Sequence, residues 1–506
     1  MEQSVLGIDL GTSGVKTVLF DSRGNRLASA AQEYRLSYPR NGWAEENPED
    51  WWRAAVSTIQ SVLATSGARQ IAAIGLSGQM HSLVMLDKEG HVLRPAILWC
   101  DGRSGRECAE LTQRVGQARL LEITANPALT GFTAGKLLWV RRHEPRIYER
   151  CGHILLPKDY IRFRLTGELA TDVSDASGTN LLDVKTRRWS REILDALDID
   201  PGWMPDLFES CQASGVVSHS AAKVTGLEPG TMVVGGAADN AASAVGTGTV
   251  FPDTASITLG TSGVILAHAE APLTDAKGRV HTFCAAVPGA WLVLSCTLAA
   301  GLSLRWFRDM FCGEETAQAQ EMGIDPYVLL SQAAERVPLG ADGLLFLPYL
   351  MGERSPLLDE KCRGAFVGLT ASHTKVHLLR AIMEGVAFSQ RSCLEVLREM
   401  GINPPEMNVC GGGGRSALWR QMLADNFKTP VTAIPDGEGP ALGAALLALV
   451  GGGIYPDVRT ACGVLRQGGV RQEPSPERGL KYDRLYPIYQ SLYKDLHRDF
   501  EALYQI

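Results

Sequence analysis

The hexapeptide LGTSGV, which decides the fold, occurs twice, at Leu10–Val15 and at Leu259–Val264, about half the chain length apart. Each copy follows a short apolar run with strand character, VLGID before the first and SIT before the second. After the first copy, Thr17–Phe20 is predicted to form a strand and Asp21–Asn25 a turn. The repeat predicts two related halves, each opening with a strand–turn–strand unit. The alternative is a common small-residue turn that occurs twice.

The Gly-Thr-Ser turn in each copy has a composition that suits phosphate oxygens. Its glycines let the backbone N–H groups converge, and its hydroxyls add further hydrogen-bond donors. The chain contains no GxxxxGK[ST] motif, so the turn is not a P-loop. The sequence therefore predicts a phosphate-contacting turn of another class.

Composition excludes several kinds of protein. With 45% hydrophobic and 21% charged residues the chain is not disordered, and a net charge of −7 argues against nucleic acid or an anionic membrane as the main partner. None of the 11 cysteines forms a Cys-x-x-Cys pair, which gives zinc or thioredoxin chemistry no support. We expect no signal peptide in MEQSVLGIDL and no bilayer-spanning segment in the apolar stretches 291–304 and 439–456. A reducing cytoplasm is the expected location.

The remaining chain is predicted to be mixed α/β. A boundary near 246–255 divides it into an N-terminal half, 1–250, and a C-terminal half, 251–506. The predicted strands are Ile71–Leu76, Ser82–Leu86, Ile154–Leu156, Thr231–Gly235, Leu344–Leu347 and Met407–Cys410. The predicted helices are Pro48–Thr65, Lys136–His143 with Thr133 as its N-cap candidate, Lys158–Leu165, Lys375–Met400 and Ala417–Asn426.

Two aspartates are the candidates for phosphoryl-transfer chemistry. Asp9 ends an apolar strand just before the first turn, where a carboxylate can hold Mg²⁺ beside phosphates; alternatively it caps the turn. The second copy has Thr258 at this place, so the halves have diverged. Asp239 is the only ionisable side chain between Pro229 and Pro252 and can act as a general base toward a sugar hydroxyl. Its alternative role is that of a helix N-cap.

Other candidates follow apolar runs, where ligands of α/β folds gather. His81 can donate a hydrogen bond to a sugar, and Trp99 offers a flat apolar face, with Asp101 close behind; each also has an ordinary structural interpretation. The glycine run Gly411–Gly414 suits close approach of a ring or a phosphate, or forms a flexible loop. Gly439–Leu449 is predicted to be a core helix of small residues.

The chain resembles the FGGY carbohydrate kinases, most closely their xylulokinase branch, along nearly its whole length. The motifs that carry the resemblance are GFTAGKLLWVRRH at Gly131–His143, GAFVGLTASHTKVHLLRAIMEG at Gly364–Gly385, GQMH at Gly78–His81, RPAILWCDGR at Arg94–Arg103, LLPKDYIRFRLTGE at Leu155–Glu168, SDASGT at Ser174–Thr179, DNAASAVG at Asp239–Gly246 and FLPYLMGERSP at Phe346–Pro356.

The resemblance implies an α/β fold of two ribonuclease H-like, actin-like ATPase domains around a central cleft. It also implies ATP-dependent, Mg²⁺-assisted phosphorylation of a ketopentose, with D-xylulose as the first expectation, and often a homodimer. Its implied site residues are the base Asp239; Asp9 for Mg²⁺ and the transferring phosphoryl group; Met80, His81, Asn240, Trp99 and Asp101 for the sugar; Thr12, Ser13, Gly260 and Thr261 for the phosphates; and Gly412 and Gly413 for the nucleotide.

Two residues beside the expected sugar site depart from the family pattern. Ser82 replaces a glycine, and Cys100 replaces an asparagine, so a gained hydroxyl and a lost amide are expected to alter contacts with the substrate. Another ketose or polyol, such as ribulose or a tetrulose, is therefore the alternative substrate. A sugar sensor that binds ATP without catalysis is the alternative class, although such a protein needs neither Asp9 nor Asp239. A dehydrogenase lacks its GxGxxG fingerprint here.

The general-base assignment leads to a first prediction. Asp239→Asn keeps the shape of the side chain and removes its basicity, so the variant is expected to bind sugar and to lose most phosphorylation. Turnover measured by ADP release, together with sugar binding by calorimetry, checks this. Near-normal turnover in the variant would contradict the assignment.

Overall fold

A computed structural model describes residues 3–68, 70–434, 439–463 and 469–505. Its strands are β1 Ser4–Leu10, β2 Gly14–Asp21, β3 Arg26–Glu33, β4 Glu45–Glu46, β5 Ala73–Gly78, β6 Val84–Leu86, β7 Ala96–Ile97, β8 His153–Leu155, β9 Ala170–Asp172, β10 Leu182–Asp183, β11 Arg188–Trp189, β12 Asp206–Phe208, β13 Ala213–Val216, β14 Met232–Val234, β15 Ala237–Ala238, β16 Thr254–Leu259, β17 Gly263–Ala269, β18 His281–Cys284, β19 Trp291–Thr297, β20 Leu345–Leu347, β21 Ala365–Val367, β22 Glu406–Cys410, β23 Val431–Ala433 and β24 Arg471–Gln472.

The α-helices alternate with these strands along most of the chain. They are α1 Pro48–Ser66, α2 Gly105–Val115, α3 Gln117–Thr124, α4 Thr133–His143, α5 Pro145–Tyr148, α6 Pro157–Thr166, α7 Val173–Ala176, α8 Arg191–Ala196, α9 His219–Thr225, α10 Asp239–Gly246, α11 Gly301–Phe311, α12 Gly313–Met322, α13 Pro326–Glu335, α14 Lys375–Glu399, α15 Ala417–Phe427, α16 Gly439–Gly451, α17 Val458–Cys462 and α18 Pro476–Tyr504. Within the described ranges, no helix combines the length and apolar character that a bilayer crossing needs.

The predicted elements are present, but the N-cap candidate Thr133 and the alternative interpretation of Asp239 as an N-cap are wrong. Thr133 is not the N-cap of α4: Phe132 holds that position, and the Thr133 hydroxyl donates 3.0 Å to the carbonyl of His81. Asp239 is not an N-cap either, because Ala238 precedes α10 and Asp239 is its first residue. The Thr133 side chain takes part in a tertiary contact, whereas that of Asp239 is hydrogen-bonded by its neighbour Asn240.

The chain divides into two compact units. Unit 1 comprises 1–252, 268–292 and 437–466, and unit 2 comprises 253–267, 293–436 and 467–506. Unit 1 therefore contains two segments from the C-terminal half of the sequence in addition to the residues before 252. A division of the chain at a single point, 1–250 and 251–506, does not describe this exchange of segments.

The main sheet of unit 1 brings three strand ends together. Its order is β13-β14-β5-β1-β2-β3, with β15 also paired to β5. Strands β1 and β2 form an antiparallel hairpin, whereas β1, β5 and β15 run parallel. The carboxyl ends of β1, β5 and β15 consequently lie at one edge of the sheet.

Unit 2 repeats the arrangement around the second LGTSGV. Its sheet contains the order β19-β17-β16-β22-β23-β24. Strands β16 and β17 form an antiparallel hairpin, and β22 runs parallel to β16 as β5 does to β1. The predicted strand–turn–strand unit in each half is confirmed.

The two identical hexapeptides nevertheless form different turns. In unit 1, Leu10 pairs with Val15 and the Gly11 N–H donates 3.0 Å to the carbonyl of Gly14. In unit 2, Leu259 pairs with Gly263, which shortens the loop by one residue, and the Gly260 N–H donates 3.0 Å to the carbonyl of Ser262. The turn type is thus set by the surroundings of the hexapeptide.

Helix α16 packs its backbone directly on the unit 1 sheet. A Cβ atom at Gly75 of β5 would lie 1.9 Å from the carbonyl oxygen of Ala444, and one at Gly7 of β1 would lie 2.0 Å from that of Ala441. On its other side, a Cβ at Gly443 would lie 1.8 Å from the Ala242 oxygen of α10. The buried small residues of α16 confirm the predicted core helix and hold α10 against the sheet.

This close approach predicts a large effect for a single methyl group. Gly75→Ala forces backbone apart in a packed interior and is expected to lower the free energy of unfolding by about 3 kcal/mol or more. The matched control is Gly105→Ala at the start of α2, where the nearest atom to a new Cβ is 3.9 Å away. The control is expected to change stability by less than about 1 kcal/mol. Urea denaturation of both variants checks this; equal midpoints would contradict it.

Candidate active site

Strand pairing brings Asp9 and Asp239 to the same sheet edge. Asp9 lies opposite Ser77 of β5, and Ser77 lies opposite Ala237 of β15. Asp239 follows β15 directly as the first residue of α10. Because the three strands are parallel, two carboxylates that are far apart in the sequence become neighbours beyond their carboxyl ends.

Asp239 has the electrostatic character of a base at neutral pH. Its burial, followed by the carboxylate of Asp9, raises the pKa of Asp239 to about 7. Two donors from Asn240, the backbone N–H at 2.7 Å and Nδ2 at 3.1 Å, bind the same oxygen, Oδ1. The backbone bond partly opposes the rise in pKa. A carboxyl group poised near the working pH is what general-base catalysis favours.

The same pair of carboxylates fits a hard divalent cation. The Asp9 charge raises the pKa of Asp239, which shows that the two groups repel each other in this structure. Magnesium prefers oxygen ligands and usually takes only one or two carboxylates together with phosphate oxygens. The donor set at this edge is therefore compatible with Mg²⁺ brought in with a nucleotide.

Met80, His81 and Asn240 lie beside Asp239. The Asn240 amide contacts Met80 Sδ at 3.4 Å as well as the carboxylate of Asp239. His81 has a left-handed backbone with φ of 68°, and its Nδ1 donates 2.8 Å to the carbonyl of Gly178. Since Nδ1 must carry a proton for this bond, the neutral ring has its lone pair on Nε2. The predicted donation to a sugar through Nε2 would need a protonated ring.

The fully buried Lys136 holds the His81 backbone in place. Its Nζ donates to three carbonyls, those of His81 at 3.2 Å, Phe132 at 3.1 Å and Gly131. Burial lowers the pKa of Lys136 to about 7, an effect that the Asp101 charge opposes. Three acceptors match the three N–H bonds of an ammonium group, so the geometry favours the charged form. Lys136 thereby stabilises a backbone conformation that is costly for a non-glycine residue.

Aromatic rings surround His81. Phe132 packs edge-on against it with ring centroids 4.5 Å apart, and Phe283 lies 5.9 Å away. Phe283 belongs to β18, in the segment 268–292 that joins unit 1. The segment from the C-terminal half thus completes an apolar wall beside the candidate sugar-contacting residues.

Trp99 and Thr12 are linked to each other. The Trp99 indole Nε1 donates 2.9 Å to the Thr12 hydroxyl, and about two-fifths of Trp99 stays exposed (38%). Thr12 and the exposed Ser13 lie in the turn between β1 and β2. The candidate phosphate turn and the candidate sugar platform are therefore joined by one hydrogen bond.

The hydroxyl of Ser82 is hydrogen-bonded within the protein. It is fully buried, accepts a hydrogen bond from the Trp99 backbone N–H at 3.1 Å and donates to the Met80 carbonyl at 3.4 Å. Both of its bonds connect parts of the protein, and an effect of this hydroxyl on bonding to the substrate stays a prediction. Cys100, the other departure, is exposed and lies between β7 and α2, next to Trp99.

Asp101 is held by the protein on both oxygens. Arg103 donates from Nε to Oδ1 at 2.9 Å and from Nη2 to Oδ2 at 2.7 Å. The Ala44 N–H donates to Oδ2 at 2.6 Å. These contacts anchor the loop that carries Trp99, and a direct contact of Asp101 with sugar stays a prediction.

In unit 2, the second turn and the glycine run lie side by side. The carbonyls of Gly260 and Thr261 accept hydrogen bonds from the first residues of α11 and from Ala300 before it. A Cβ at Gly411 would lie 2.7 Å from the Leu259 oxygen, and one at Gly413 would lie 2.7 Å from Leu259 Cβ. Gly413 is thus packed within the protein, whereas Gly412 is exposed with nothing within 4 Å of a Cβ position.

Three buried polar residues of the site were not predicted. Lys136 has the clearest signal, a single cation between small and apolar residues in GFTAGKLLW. Gln79 accepts a hydrogen bond from the Thr12 hydroxyl at 3.5 Å and donates one to Glu46 at 3.1 Å. Gln79 and Glu46 therefore support the turn that contains Thr12. Burial raises the pKa of Glu46 to about 7, against hydrogen bonds from Trp51 and Gln79. Nothing in the local sequence distinguishes Glu46 from its charged neighbours.

Two hairpin-centred α/β units, a pair of carboxylates at a sheet edge and glycine turns define a phosphotransferase of the actin-like, ribonuclease H-like class, as predicted. Family models confirm this: residues 4–246 match the N-terminal domain, and 255–452 the C-terminal domain, of the FGGY family of carbohydrate kinases. The chain belongs to the FGGY family of carbohydrate kinases, and it is a sugar kinase.

The chain is similar to proteins named xylulose kinase. It is 40% identical to that of Bacillus subtilis (strain 168) over 97% of this chain and 98% of the relative. It is 42% identical to that of Escherichia coli (strain K12) over 88% and 89% of the two chains. The crystal structure of xylulose kinase from Rhodospirillum rubrum superimposes with a TM-score of 0.90 at 33% identity, covering 99% of this chain and all of that one.

The raised pKa of Asp239 leads to a stability prediction. The folded state binds the Asp239 proton between an unfolded pKa near 4 and a folded pKa of about 7, so ionisation at higher pH destabilises the fold. Asp239→Asn is expected to raise the free energy of unfolding at pH 8 by on the order of 1 kcal/mol, and by less at pH 5.5. Exposed Asp253→Asn serves as the control. Denaturation curves at both pH values check this, and an equal gain at each would contradict it.

Proposed function

We propose that this chain transfers the γ-phosphoryl group of ATP to a ketopentose, converting D-xylulose to D-xylulose 5-phosphate. The observation that carries the proposal is the position of Asp239, with a pKa of about 7, beside Asp9 and among Met80, His81 and Asn240. The names of its full-length relatives support D-xylulose as the acceptor.

In the proposed reaction Asp239 accepts the proton of the terminal sugar hydroxyl. The hydroxyl oxygen forms a bond to the γ-phosphorus while the bond between that phosphorus and the β–γ bridging oxygen breaks, which releases ADP. Asn240 binds Oδ1 of Asp239 through two N–H groups and so sets the direction of the carboxylate. A pKa of about 7 leaves a large fraction of Asp239 ionised at neutral pH, so it can take the proton.

Asp9 is the residue that we propose to hold Mg²⁺, with Asp239 as its neighbour. When bound, the cation offsets the negative charge of the phosphates. Asp9 is the penultimate residue of β1 and lies three residues before Thr12, which with Ser13 is proposed to meet the phosphates. Here the turn contributes backbone N–H groups and the Ser13 hydroxyl, while the Thr12 hydroxyl also accepts the Trp99 indole.

Nucleotide contact is proposed for Gly260, Thr261, Gly412 and Gly413 of unit 2. The exposure of Thr261 and Gly412, and the open space at Gly412, support close approach of a flat ring or a phosphate to that backbone. Gly413 packs against Leu259 inside the protein and so supports the backbone at that surface. Closure of the two halves around the ligands, a homodimer and a cytoplasmic location stay predictions from the sequence.

Substrate choice is proposed to rest on the residues around Met80 and His81 together with the face of Trp99. Because the Ser82 hydroxyl is bonded within the protein, that departure from the family pattern does not add a polar group to the sugar site. A pentulose with the D-xylulose configuration therefore remains the preferred acceptor over ribulose or a tetrulose.

A panel assay tests the proposed function. ADP release with Mg-ATP is measured with D-xylulose, D-ribulose, L-ribulose, erythrulose, glycerol and the sugar acid D-gluconate. D-Xylulose is expected to give the highest kcat/KM, by at least about 10-fold, since polar contacts in such sites discriminate strongly. Another sugar ranking first would replace the substrate and keep the enzyme class. Sugar binding without ADP release from any acceptor would favour the sensor.

A further inference from the structure

A cluster of buried charges lies behind the segment that leads into Asp239. All of its members are fully buried: Lys158, Asp159, Arg162, Asp172 and Asp175. Four of them come from the motifs LLPKDYIRFRLTGE and SDASGT, to which the proposed reaction assigns no role, and Asp172 lies two residues before the second motif. Lys158 Nζ contacts three carboxylates, at 2.6 Å for Asp159, 2.8 Å for Asp172 and 3.2 Å for Asp175.

The cations and the carboxyl groups of the cluster stabilise one another. Burial alone would lower the pKa of Lys158, but its three carboxylate neighbours raise it above its usual value, so the lysine is charged. Burial raises the pKa of Asp175 well above its usual range, and the attraction of Lys158 does not outweigh that effect. Two cations, Lys158 and Arg162, thus face three carboxyl groups. Such a buried arrangement is rigid, because moving any member leaves a charge unpaired.

The cluster is hydrogen-bonded to both ends of the four-residue segment that precedes Asp239, residues 235–238. At one end, Arg162 Nη1 donates 2.6 Å to the carbonyl of Gly235. At the other, the Ala238 N–H donates 3.1 Å to the Ser174 hydroxyl, and that hydroxyl donates 2.5 Å to Asp172 Oδ2. Ala238 is the N-cap of α10, so its orientation determines where the side chain of Asp239 points.

We infer that Ser174 is a positioning residue for Asp239, transmitting the rigidity of the buried charge cluster to the proposed base through the Ala238 N–H. This inference rests on the proposed function, since it assigns Ser174 a role in placing the base of that reaction. The chain of contacts runs from Lys158 through Asp172 and Ser174 to Ala238. Loss of this contact is expected to misplace Asp239 without touching the residues that contact sugar.

The charged members are unsuitable for testing this inference. Removing Lys158 would leave buried carboxylates without their cation, which destabilises a protein so strongly that folding itself fails. Ser174→Ala removes only the hydroxyl that accepts from Ala238. Ser210 offers a matched control, because its fully buried hydroxyl donates 2.9 Å to the same oxygen, Asp172 Oδ2, and its side chain has no bond to Ala238 among the described contacts. Ser174→Thr restores a hydroxyl.

The experiment compares kcat and the KM for D-xylulose, with Mg-ATP, in the three variants and the parent enzyme. Since a displacement of about 1 Å costs up to about 100-fold in rate, Ser174→Ala is expected to lower kcat at least about 10-fold with KM changed less than about 2-fold. Ser210→Ala is expected to keep kcat within about 2-fold, and Ser174→Thr to recover most of it. The melting temperature of Ser174→Ala is expected to fall more than that of Ser210→Ala, because both variants take one donor from Asp172 but only Ser174→Ala also leaves the buried Ala238 N–H without its acceptor.

Asp239→Asn separates failure of this inference from failure of the proposed function. If Asp239→Asn abolishes turnover and Ser174→Ala and Ser210→Ala lower kcat equally, the positioning role is overturned and the base assignment stands. If Asp239→Asn keeps normal turnover, the base assignment fails, and the positioning role fails with it. In the supporting case, adding Ser174→Ala to Asp239→Asn lowers the residual rate no further, because the misplaced group no longer takes the proton.

Discussion

The absence of side chains at a few glycines allows a helix to lie with its backbone on the unit 1 sheet. Gly7 and Gly75 face the carbonyl oxygens of α16 at distances where a Cβ atom could not exist, and Gly443 approaches α10 in the same way. This packing fixes the position of β1, which carries Asp9, and of α10, which begins with Asp239. Helix α16 comes from the C-terminal half of the sequence. The strand that carries Asp9 is therefore supported by residues more than 400 positions away.

Charge burial gives the site its chemistry. An aspartate at the start of a helix in water would be fully ionised at neutral pH, but burial and the neighbouring Asp9 bring the pKa of Asp239 to about 7. The same physical effect acts on Lys136, whose pKa falls to about 7 while it holds the backbone of His81. Both groups bear an energetic cost that a purely structural protein would avoid. Asp239 is bound by Asn240, which contacts Met80, and Lys136 binds the carbonyl of His81.

Much of this site could be predicted from residue types and spacing. Asp9, Asp239 and the glycine turns stand out because charge and flexibility are rare in apolar runs, and their positions follow from strand ends. Asp101 and Ser82 could not be interpreted from the local sequence alone, since Ala44, which donates to Asp101, and Trp99, which donates to Ser82, lie in other loops. The cluster around Lys158 was visible as a motif, but its role depends on contacts between α6, β9 and α7.

The sequence by itself determined the repeated architecture and the two candidate carboxylates, because these depend on local pattern, and its motifs carried the resemblance to the kinase family. Only the tertiary structure decided that 268–292 and 437–466 complete the first unit, and that one hexapeptide forms two different turns. It also decided which polar groups are held by the protein and which remain for ligands. The physical reason is that hydrogen bonding and pKa depend on burial and on neighbours, and neighbours far apart in the chain meet only when it folds.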